Sequence, residues 1–209
     1  MENKSSSIFY ILSPILILLL TQASAFLFGR ILGPQVYIPI ILIYWAVLGL
    51  ILFRYGWDQT RKWLRKSQGH WFWIIIAVVV GLSSLPLFLQ HYSVLQNLSI
   101  LIPTIIFFLI NPWLEEFYWR GMLLDVTEKW PAWISILYST VLFTTFHSAF
   151  AWYSPAARNL LFYGAVMFLG LMMALIYKNT KSVRLAVLSH MMINILNLSI
   201  PSLLNMIEF

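Results

Sequence analysis

Long apolar stretches separated by short polar connections dominate this chain. A membrane-crossing helix needs about 20 predominantly apolar residues, and several uncharged stretches reach that length; one of them, 67–114, is long enough for two crossings. The runs are nearly continuous and lack the alternation of barrel strands, so helices are predicted. The pattern predicts seven spans, at residues 8–28, 36–53, 71–89, 98–124, 133–147, 160–177 and 185–203.

The composition agrees with a membrane protein and excludes other classes. Of 209 residues, 61% are hydrophobic and 10% are charged, against roughly 25% charged in a soluble domain. This balance excludes disorder, a secreted disulfide scaffold and a cytosolic enzyme. The sequence has no cysteine, so it offers no disulfide, thiolate metal site or cysteine nucleophile. The predicted fold class is all-α: a polytopic membrane helical bundle with about seven transmembrane helices and one interfacial amphipathic segment.

The basic residues predict the orientation of the bundle. With a cytoplasmic N-terminus, only Arg30 and Arg158 fall on the outer side. Ten basic residues then fall on the inner side: Lys4, Arg54, Arg61, Lys62, Arg65, Lys66, Lys129, Lys178, Lys181 and Arg184. This asymmetry follows the positive-inside rule. The net charge of +6 therefore indicates orientation in a membrane, and no nucleic-acid partner is predicted.

The connection 54–70 mixes five basic residues with Trp57, Trp63 and Leu64. Such a mixture is typical of an interfacial helix on an anionic leaflet, so anionic lipid is the predicted partner at 54–70; a loop that only fixes topology is the alternative. We divide the chain into an N-terminal region, 1–97, which includes this connection, and a core region, 98–205.

The first predicted span also resembles a signal peptide. The tripeptide Ala23-Ser24-Ala25 matches a cleavage site of the Ala-x-Ala type. Because the apolar run continues to Phe28, we expect residues 1–25 to remain as part of a helix, with cleavage as the alternative.

Three charged residues lie inside the fourth predicted span: Glu115, Glu116 and Arg120. A charge near the bilayer centre costs at least about 2.5 kcal/mol on insertion scales, and such groups usually mark function. Glu116 and Arg120 are four residues apart, on one helical face and in the favourable order for an ion pair. Glu115 points about 100° away from Glu116 around the helix. We expect Glu115 to have no local partner and to be free for chemistry.

Two histidines lie in other predicted spans at a similar depth. His147 ends the fifth span, and His190 shares a face of the seventh span with Asn194. At a rise of about 1.5 Å per residue, Glu115 lies about 15 Å, His190 about 14 Å and His147 about 21 Å from the inner boundary. A tilted fifth helix brings all three to one level. Each residue alone is typical of a hydrogen-bonded interior group, but their common depth predicts a single site.

The residue types limit the chemistry of this site. The zinc-protease motif His-Glu-x-x-His is absent. The only aspartates, Asp58 and Asp125, lie at the predicted cytoplasmic boundary, which excludes an intramembrane aspartate pair. Two possibilities remain: a water activated by carboxylate and imidazole, or a metal ion held by Glu115, His147 and His190.

The order of these residues resembles the CPBP family, the CAAX proteases and bacteriocin-processing enzymes also called Abi proteins, which includes the type II CAAX prenyl endopeptidase. Its motifs are Glu-Glu-x-x-x-Arg, Phe-x-x-x-His and His-x-x-x-Asn/Asp. The chain presents them in that order as Glu115 to Arg120, Phe143 to His147 and His190 to Asn194. The resemblance covers about half the chain and implies that 98–205 is the catalytic core of an intramembrane endopeptidase.

The resemblance also implies a role for each residue. Glu115 is the general base, His147 holds and polarises the attacking water, and His190 with Asn194 stabilises the oxyanion. Three residues are implied to orient this site: Glu116, Arg120 and Phe143. We expect no cofactor, with zinc on Glu115, His147 and His190 as the alternative.

The resemblance leaves the substrate open between a prenylated CAAX-like and a bacteriocin-like peptide or protein at the membrane. A short chain of this kind is similar to bacterial members, which implies a multi-pass protein of the bacterial plasma membrane. Two other functions remain: a non-catalytic bacteriocin self-immunity or scaffold protein on the same fold, and a small transporter that uses the buried polar cluster as an ion relay. The oligomeric state stays open.

Overall fold

The computed structural model describes residues 4–69 and 71–207, and these residues form helices and short connections without a strand. Residues 1–3 of the predicted N-terminal region and His70, the last residue of the predicted segment 54–70, lie outside the described residues. The α-helices are α1 (Lys4–Leu32), α2 (Tyr37–Tyr55), α3 (Trp57–Trp63), α4 (Phe72–Gly81), α5 (Leu85–His91), α6 (Leu98–Glu115), α7 (Leu123–Val126), α8 (Ala132–Phe146), α9 (Leu160–Thr180), α10 (Arg184–Leu196) and α11 (Ser199–Leu203).

Five helical segments among the described residues are long and apolar enough to cross a membrane: Ser7–Tyr55, Phe72–Gln96, Leu98–Val126, Ala132–Trp152 and Leu160–Thr180. The first contains both α1 and α2, which a 3-10 turn at Gly33–Val36 separates. Helix α10 is apolar but shorter. The predicted all-α membrane fold is confirmed, whereas the count of seven spans is not.

Proline and glycine explain most of the breaks between helices. Gly33 adopts a φ of +56°, in the left-handed region that glycine tolerates, and Pro34 follows it in the 3-10 turn. Pro86 lies in the first turn of α5, where no backbone N–H is needed. Pro112, by contrast, lies inside α6 without ending it. The chain therefore turns at Gly33-Pro34 and at Pro86, while the helix continues through Pro112.

Two asparagines fix the starts of the helices that carry and face the predicted site. The Asn97 side chain accepts a hydrogen bond from the Ser99 N–H at 3.0 Å and caps α6. The Asn159 side chain accepts one from the Leu161 N–H at 2.9 Å and caps α9. Such caps satisfy backbone donors that a helix leaves unpaired and contribute about 1 kcal/mol each.

Hydrogen bonds between distant segments define two ends of the bundle. At the end that we call the basic end, comprising segments 54–69, 125–130 and 178–184, the Gln68 N–H donates to the Thr180 carbonyl at 2.7 Å and the Val183 N–H to the Trp63 carbonyl at 3.0 Å. At the opposite end, comprising segments 29–36, 148–159 and 197–206, the Asn205 side chain donates to the Tyr153 carbonyl at 3.0 Å. The sides of the bundle expose large apolar side chains, such as Phe53 at 80%, as a lipid-facing surface requires.

The segment predicted to lie at the interface is only partly exposed. Its basic residues Arg61, Lys62, Arg65 and Lys66 are exposed. Trp63, however, is 1% exposed and lies in the main hydrophobic core, where its ring stacks on Tyr55. Trp63 is therefore a packing residue, and contact of this segment with anionic lipid stays a prediction.

Candidate active site

The first charged motif lies where the fourth span changes its helical form. Glu115 is the last residue of α6, and Glu116 begins a π-helical segment, Glu116–Met122, that leads into α7. A π-helical turn inside an α-helix is rare and occurs frequently at functional sites. Glu115, Glu116 and Arg120 are each at most 2% exposed.

Glu115 is held by three side chains. Its Oε1 accepts a hydrogen bond from the Tyr44 hydroxyl at 2.8 Å, and its Oε2 accepts one from Asn111 Nδ2 at 2.9 Å. His190 Nε2 lies 3.3 Å from the same Oε2. The prediction that Glu115 has no local partner is therefore wrong, because Asn111 lies one helical turn before it and Tyr44 reaches it from α2.

Glu116 joins the first motif to the third. Its Oε1 lies 3.3 Å from Arg120 Nη1, so the predicted ion pair of Glu116 and Arg120 is present. The same oxygen lies 2.8 Å from His190 Nδ1. Both nitrogens of His190 thus face carboxylates, Nδ1 that of Glu116 and Nε2 that of Glu115.

Arg120 is fixed by α8 and α9 as well as by Glu116. Its Nη2 donates to the Gly170 carbonyl at 3.3 Å, and its guanidinium lies 4.4 Å from the ring centre of Phe143. A Cβ at position 170 would lie 3.1 Å from the Phe143 ring and 3.6 Å from Arg120 Nη2. Glycine at this position therefore allows α9 to approach the buried cation closely.

His147 and Phe143 of the second motif lie on one turn at the end of α8. His147 Nδ1 is 2.8 Å from the Phe143 carbonyl oxygen. A carbonyl only accepts, so Nδ1 carries a hydrogen and Nε2 of the neutral ring keeps its lone pair. Four phenylalanines surround the imidazole ring edge-on: Phe143, Phe146, Phe150 and Phe162.

Asn194 lies one turn after His190 on α10 and is 6% exposed. Its Nδ2 is buried and has no hydrogen-bond partner among residues 4–69 and 71–207. An unpaired buried amide donor is costly, of the order of 1–3 kcal/mol. Such a donor is therefore a candidate to bind a group that enters the site.

One cavity of about 440 Å³ connects these residues. All seven residues selected from the sequence line it: Glu115, Glu116, Arg120, Phe143, His147, His190 and Asn194. Most of the remaining lining is apolar and comes from α2, α6, α8, α9 and α10. The structure therefore brings together residues from three predicted spans, as their common depth suggested.

The possible zinc ligands do not form a metal-binding group. Within the described part of the chain, no three His, Cys, Asp or Glu residues are placed to hold one metal ion. Glu115 and His190 lie close together, but His147 does not join them in such a group. The observed arrangement thus does not fit the set of Glu115, His147 and His190 as ligands of a single ion.

Three residues near Glu115 were not selected from the sequence. Asn111 lies four residues before Glu115 on α6, a spacing that could have identified it. Tyr44 and Trp119 form a chain in which Trp119 Nε1 donates to the Tyr44 hydroxyl at 2.8 Å and that hydroxyl donates to Glu115. Tyr44 is separated from Glu115 by 71 residues, and nothing in the local sequence distinguishes it from an interfacial tyrosine.

Comparison with known families gives one match. Residues 96–196 match the family model described as type II CAAX prenyl endopeptidase Rce1-like. No curated protein and no solved structure matches the chain. The matched range contains all three motifs. The matched family comprises membrane proteases, which implies a membrane-associated peptide or protein as substrate. The apolar helices of this chain likewise indicate a multi-pass membrane protein. The match over residues 96–196 confirms the resemblance of this part of the chain to the CPBP family of CAAX-type membrane proteases.

Proposed function

We propose that the protein is an intramembrane endopeptidase in which Glu115 activates a water molecule to hydrolyse a peptide bond. One observation carries the proposal: a carboxylate on α6, two imidazoles, one directly after α8 and one on α10, and an unpaired amide on α10 line the same cavity. A general base and oxyanion donors around one space are what acyl transfer to water requires.

The reaction begins when Glu115 takes a proton from water while the water oxygen attacks the carbonyl carbon of the substrate. The C–O bond forms, and the electron pair of the carbonyl moves to its oxygen. When the tetrahedral intermediate collapses, the C–N bond breaks and the proton on Glu115 passes to the leaving nitrogen. The products are a carboxylic acid and an amine, and Glu115 returns to its starting state.

His147 positions the water in this proposal. Its Nδ1–H is directed to the Phe143 carbonyl, so its Nε2 accepts a hydrogen bond from water and turns the lone pairs of the water oxygen toward the substrate. The surrounding phenylalanine rings exclude other water and hold the imidazole in one orientation.

Asn194 and His190 stabilise the oxyanion. The unpaired Nδ2 of Asn194 donates to the developing negative charge from the start. His190 Nε2 faces Glu115 before the reaction. Once Glu115 has taken a proton and lost its charge, the Nε2–H is free to donate a hydrogen bond to the oxyanion. Protonation of the base is thereby coupled to delivery of the second donor.

Glu116, Arg120 and Phe143 orient the site. Glu116 fixes the Nδ1 side of His190, and Arg120 balances part of the carboxylate charge. Phe143 contacts Arg120 with its ring and His147 with its carbonyl oxygen. This connection links the second motif to the first.

The test uses the purified protein and the nearly isosteric variant Glu115→Gln. Both are incubated with prenylated CAAX-like peptides and unmodified apolar peptides, with and without a chelator, and cleavage is followed by mass spectrometry. We expect cleavage by the parent only, unaffected by the chelator. Cleavage that survives Glu115→Gln would contradict the mechanism, and loss on chelation would indicate a metal-dependent reaction.

The same variant separates the other two functions. A self-immunity or scaffold protein keeps its cellular phenotype after Glu115→Gln, and a transporter shows ion flux in liposomes that depends on Glu115. Either result, together with no cleavage of any peptide, would replace the protease proposal.

A further inference from the structure

The cavity does not extend along the whole axis of the bundle. On the fourth span, its lining residues run from Phe107 to Arg120, and the cavity does not reach the π-helix end at Met122 or the following α7. On α9, the lining ends at Met173, before the basic residue Lys178. The cavity therefore stops short of the basic end on both helices.

Two further helices show the same polarity although they run in the opposite direction. Helix α10 starts with Arg184 at the basic end, and its lining residues begin only at His190. Helix α8 lines the cavity only with its last turn, which begins at Phe143. Helices of both directions thus leave the residues nearest the basic end out of the cavity lining.

At the opposite end, the cavity lining includes connecting residues. Ser154, Asn159 and Ser202 line it, and Asn159 is exposed. Ser154 donates to the Ser202 carbonyl at 3.4 Å, which places its connection beside α11. The cavity mouth therefore lies at the opposite end, where these neutral polar residues and apolar ones such as Leu161 line it.

The charges of the described residues assign these ends to sides of the membrane. Nine basic residues lie at the basic end: Arg54, Arg61, Lys62, Arg65, Lys66, Lys129, Lys178, Lys181 and Arg184. Arg30 and Arg158 lie at the opposite end, where Arg158 donates to the backbone carbonyls of Ala151 and Trp152. Nine against two is a strong bias under the positive-inside rule, so the basic end faces the cytoplasm.

We propose that the cavity receives its substrate from the non-cytoplasmic side of the membrane. The substrate class that follows, which rests on the proposed function, is an apolar segment of an exported or membrane-spanning peptide whose scissile bond lies in the outer half of the bilayer. A cytosolic peptide would have to pass the packed basic end, where Trp63 and Leu124 are at most 1% exposed.

The absence of cysteine from the sequence permits a direct test with single-cysteine variants of the full chain. Ser202→Cys reports on the cavity mouth, Asn159→Cys is a second mouth position, and Lys66→Cys is the control at the basic end. Each is expressed in membranes prepared as right-side-out and as inside-out vesicles and treated with a membrane-impermeant maleimide. We expect the two mouth variants to be labelled in right-side-out vesicles and to lose labelling in inside-out vesicles, with the reverse for Lys66→Cys.

Labelling of the mouth variants only in inside-out vesicles would overturn the proposal. The labelling does not depend on catalysis, so a second measurement separates the two proposals: a quenched apolar peptide is added to both vesicle types, with Glu115→Gln as the blank. Cleavage in right-side-out vesicles supports both proposals, and cleavage restricted to inside-out vesicles overturns the entrance. Outward labelling without cleavage in either vesicle type supports the entrance and contradicts the peptidase.

Discussion

Two carboxylates of this protein have closely similar partners in different surroundings. Asp125, at the basic end, accepts hydrogen bonds from the Tyr177 hydroxyl at 2.8 Å and Trp63 Nε1 at 2.9 Å, and it pairs with Lys62 at 3.3 Å. Glu115, in the interior, also has one tyrosine hydroxyl, one neutral N–H donor and one basic side chain around it.

The difference between them is access. Glu115 lines the cavity together with His147 and Asn194, whereas Asp125 does not line it and instead ties the basic end together. The partner list of a buried carboxylate therefore does not reveal whether it is structural or catalytic. We propose that an adjacent cavity with an unpaired donor, as beside Glu115, is what distinguishes the two.

The largest expected effect separates the two carboxylates directly. Glu115→Gln removes the base, and we expect the turnover number to fall about 10³-fold or more, since general base catalysis alone contributes about 10² to 10⁴. It also removes one acceptor, so activity and not melting temperature distinguishes it from its control. Asp125→Asn, the matched control, leaves one donor of Trp63 or Tyr177 unpaired, at a cost of about 1–3 kcal/mol. Its folded fraction should keep the parental turnover. Melting in detergent and peptide cleavage measure both effects; equal activity losses would remove the distinction.

The next effect concerns the unpaired donor. Asn194→Ala deletes one of the two oxyanion donors, and we expect the turnover number to fall about 10²-fold with KM little changed. Because Nδ2 has no partner within the described residues, its removal should not lower the melting temperature. Steady-state kinetics on the cleaved peptide check this, and a drop in stability with unchanged turnover would assign Asn194 to structure.

Packing at the basic end supplies a third, smaller effect. Gly121→Ala places a Cβ 2.6 Å from the fused ring carbons of Trp63, a contact that forces a shift. We expect a loss of about 1–3 kcal/mol in the free energy of unfolding. Gly164→Ala, where a Cβ meets nothing within 4 Å, is the control and should leave the melting temperature unchanged or raised. Equal melting temperatures for the two variants would contradict the packing of Trp63.

The smallest effect tests the two tyrosines. Tyr44→Phe removes the hydrogen bond to Glu115, worth about 1 kcal/mol, and the acceptor of Trp119 Nε1. We expect a roughly tenfold fall in turnover through loss of carboxylate orientation, together with a lower melting temperature. Tyr177→Phe removes the equivalent bond to Asp125 and should lower only the melting temperature. A pH profile of the turnover that shifts for Tyr44→Phe and not for Tyr177→Phe would confirm that Tyr44 acts through Glu115.

Hydropathy and the positions of proline and glycine predicted part of the fold. Apolar length identified the spans, and Gly33-Pro34 marked the turn between the first two. The end of α10 was not predictable in this way: the predicted span 185–203 breaks at Leu198, which adopts a left-handed φ of +50° that leucine rarely adopts. Tertiary contacts override local preference there, since Leu198 is fully buried.

The candidate site was predictable because charge in a membrane is costly and therefore informative. Glu115, Glu116 and Arg120 stand out in the sequence for this reason, and helical spacing adds Asn194 to His190. Tyr44 and Trp63 give no such signal, because hydropathy does not distinguish an aromatic ring that faces lipid from one that faces protein. Their partners, Glu115 and Asp125, lie in distant segments and are known only from the fold.

The bonds around Asp125 have a mechanical consequence. They join α3, α7 and α9 to one carboxylate at the cytoplasmic face we assign, so these segments cannot separate there without breaking several bonds at once. Thermal fluctuations that spread the helices will then have their smallest amplitude at that face and their largest at the mouth. The bundle can thereby widen at the mouth for an incoming chain while the basic end stays closed.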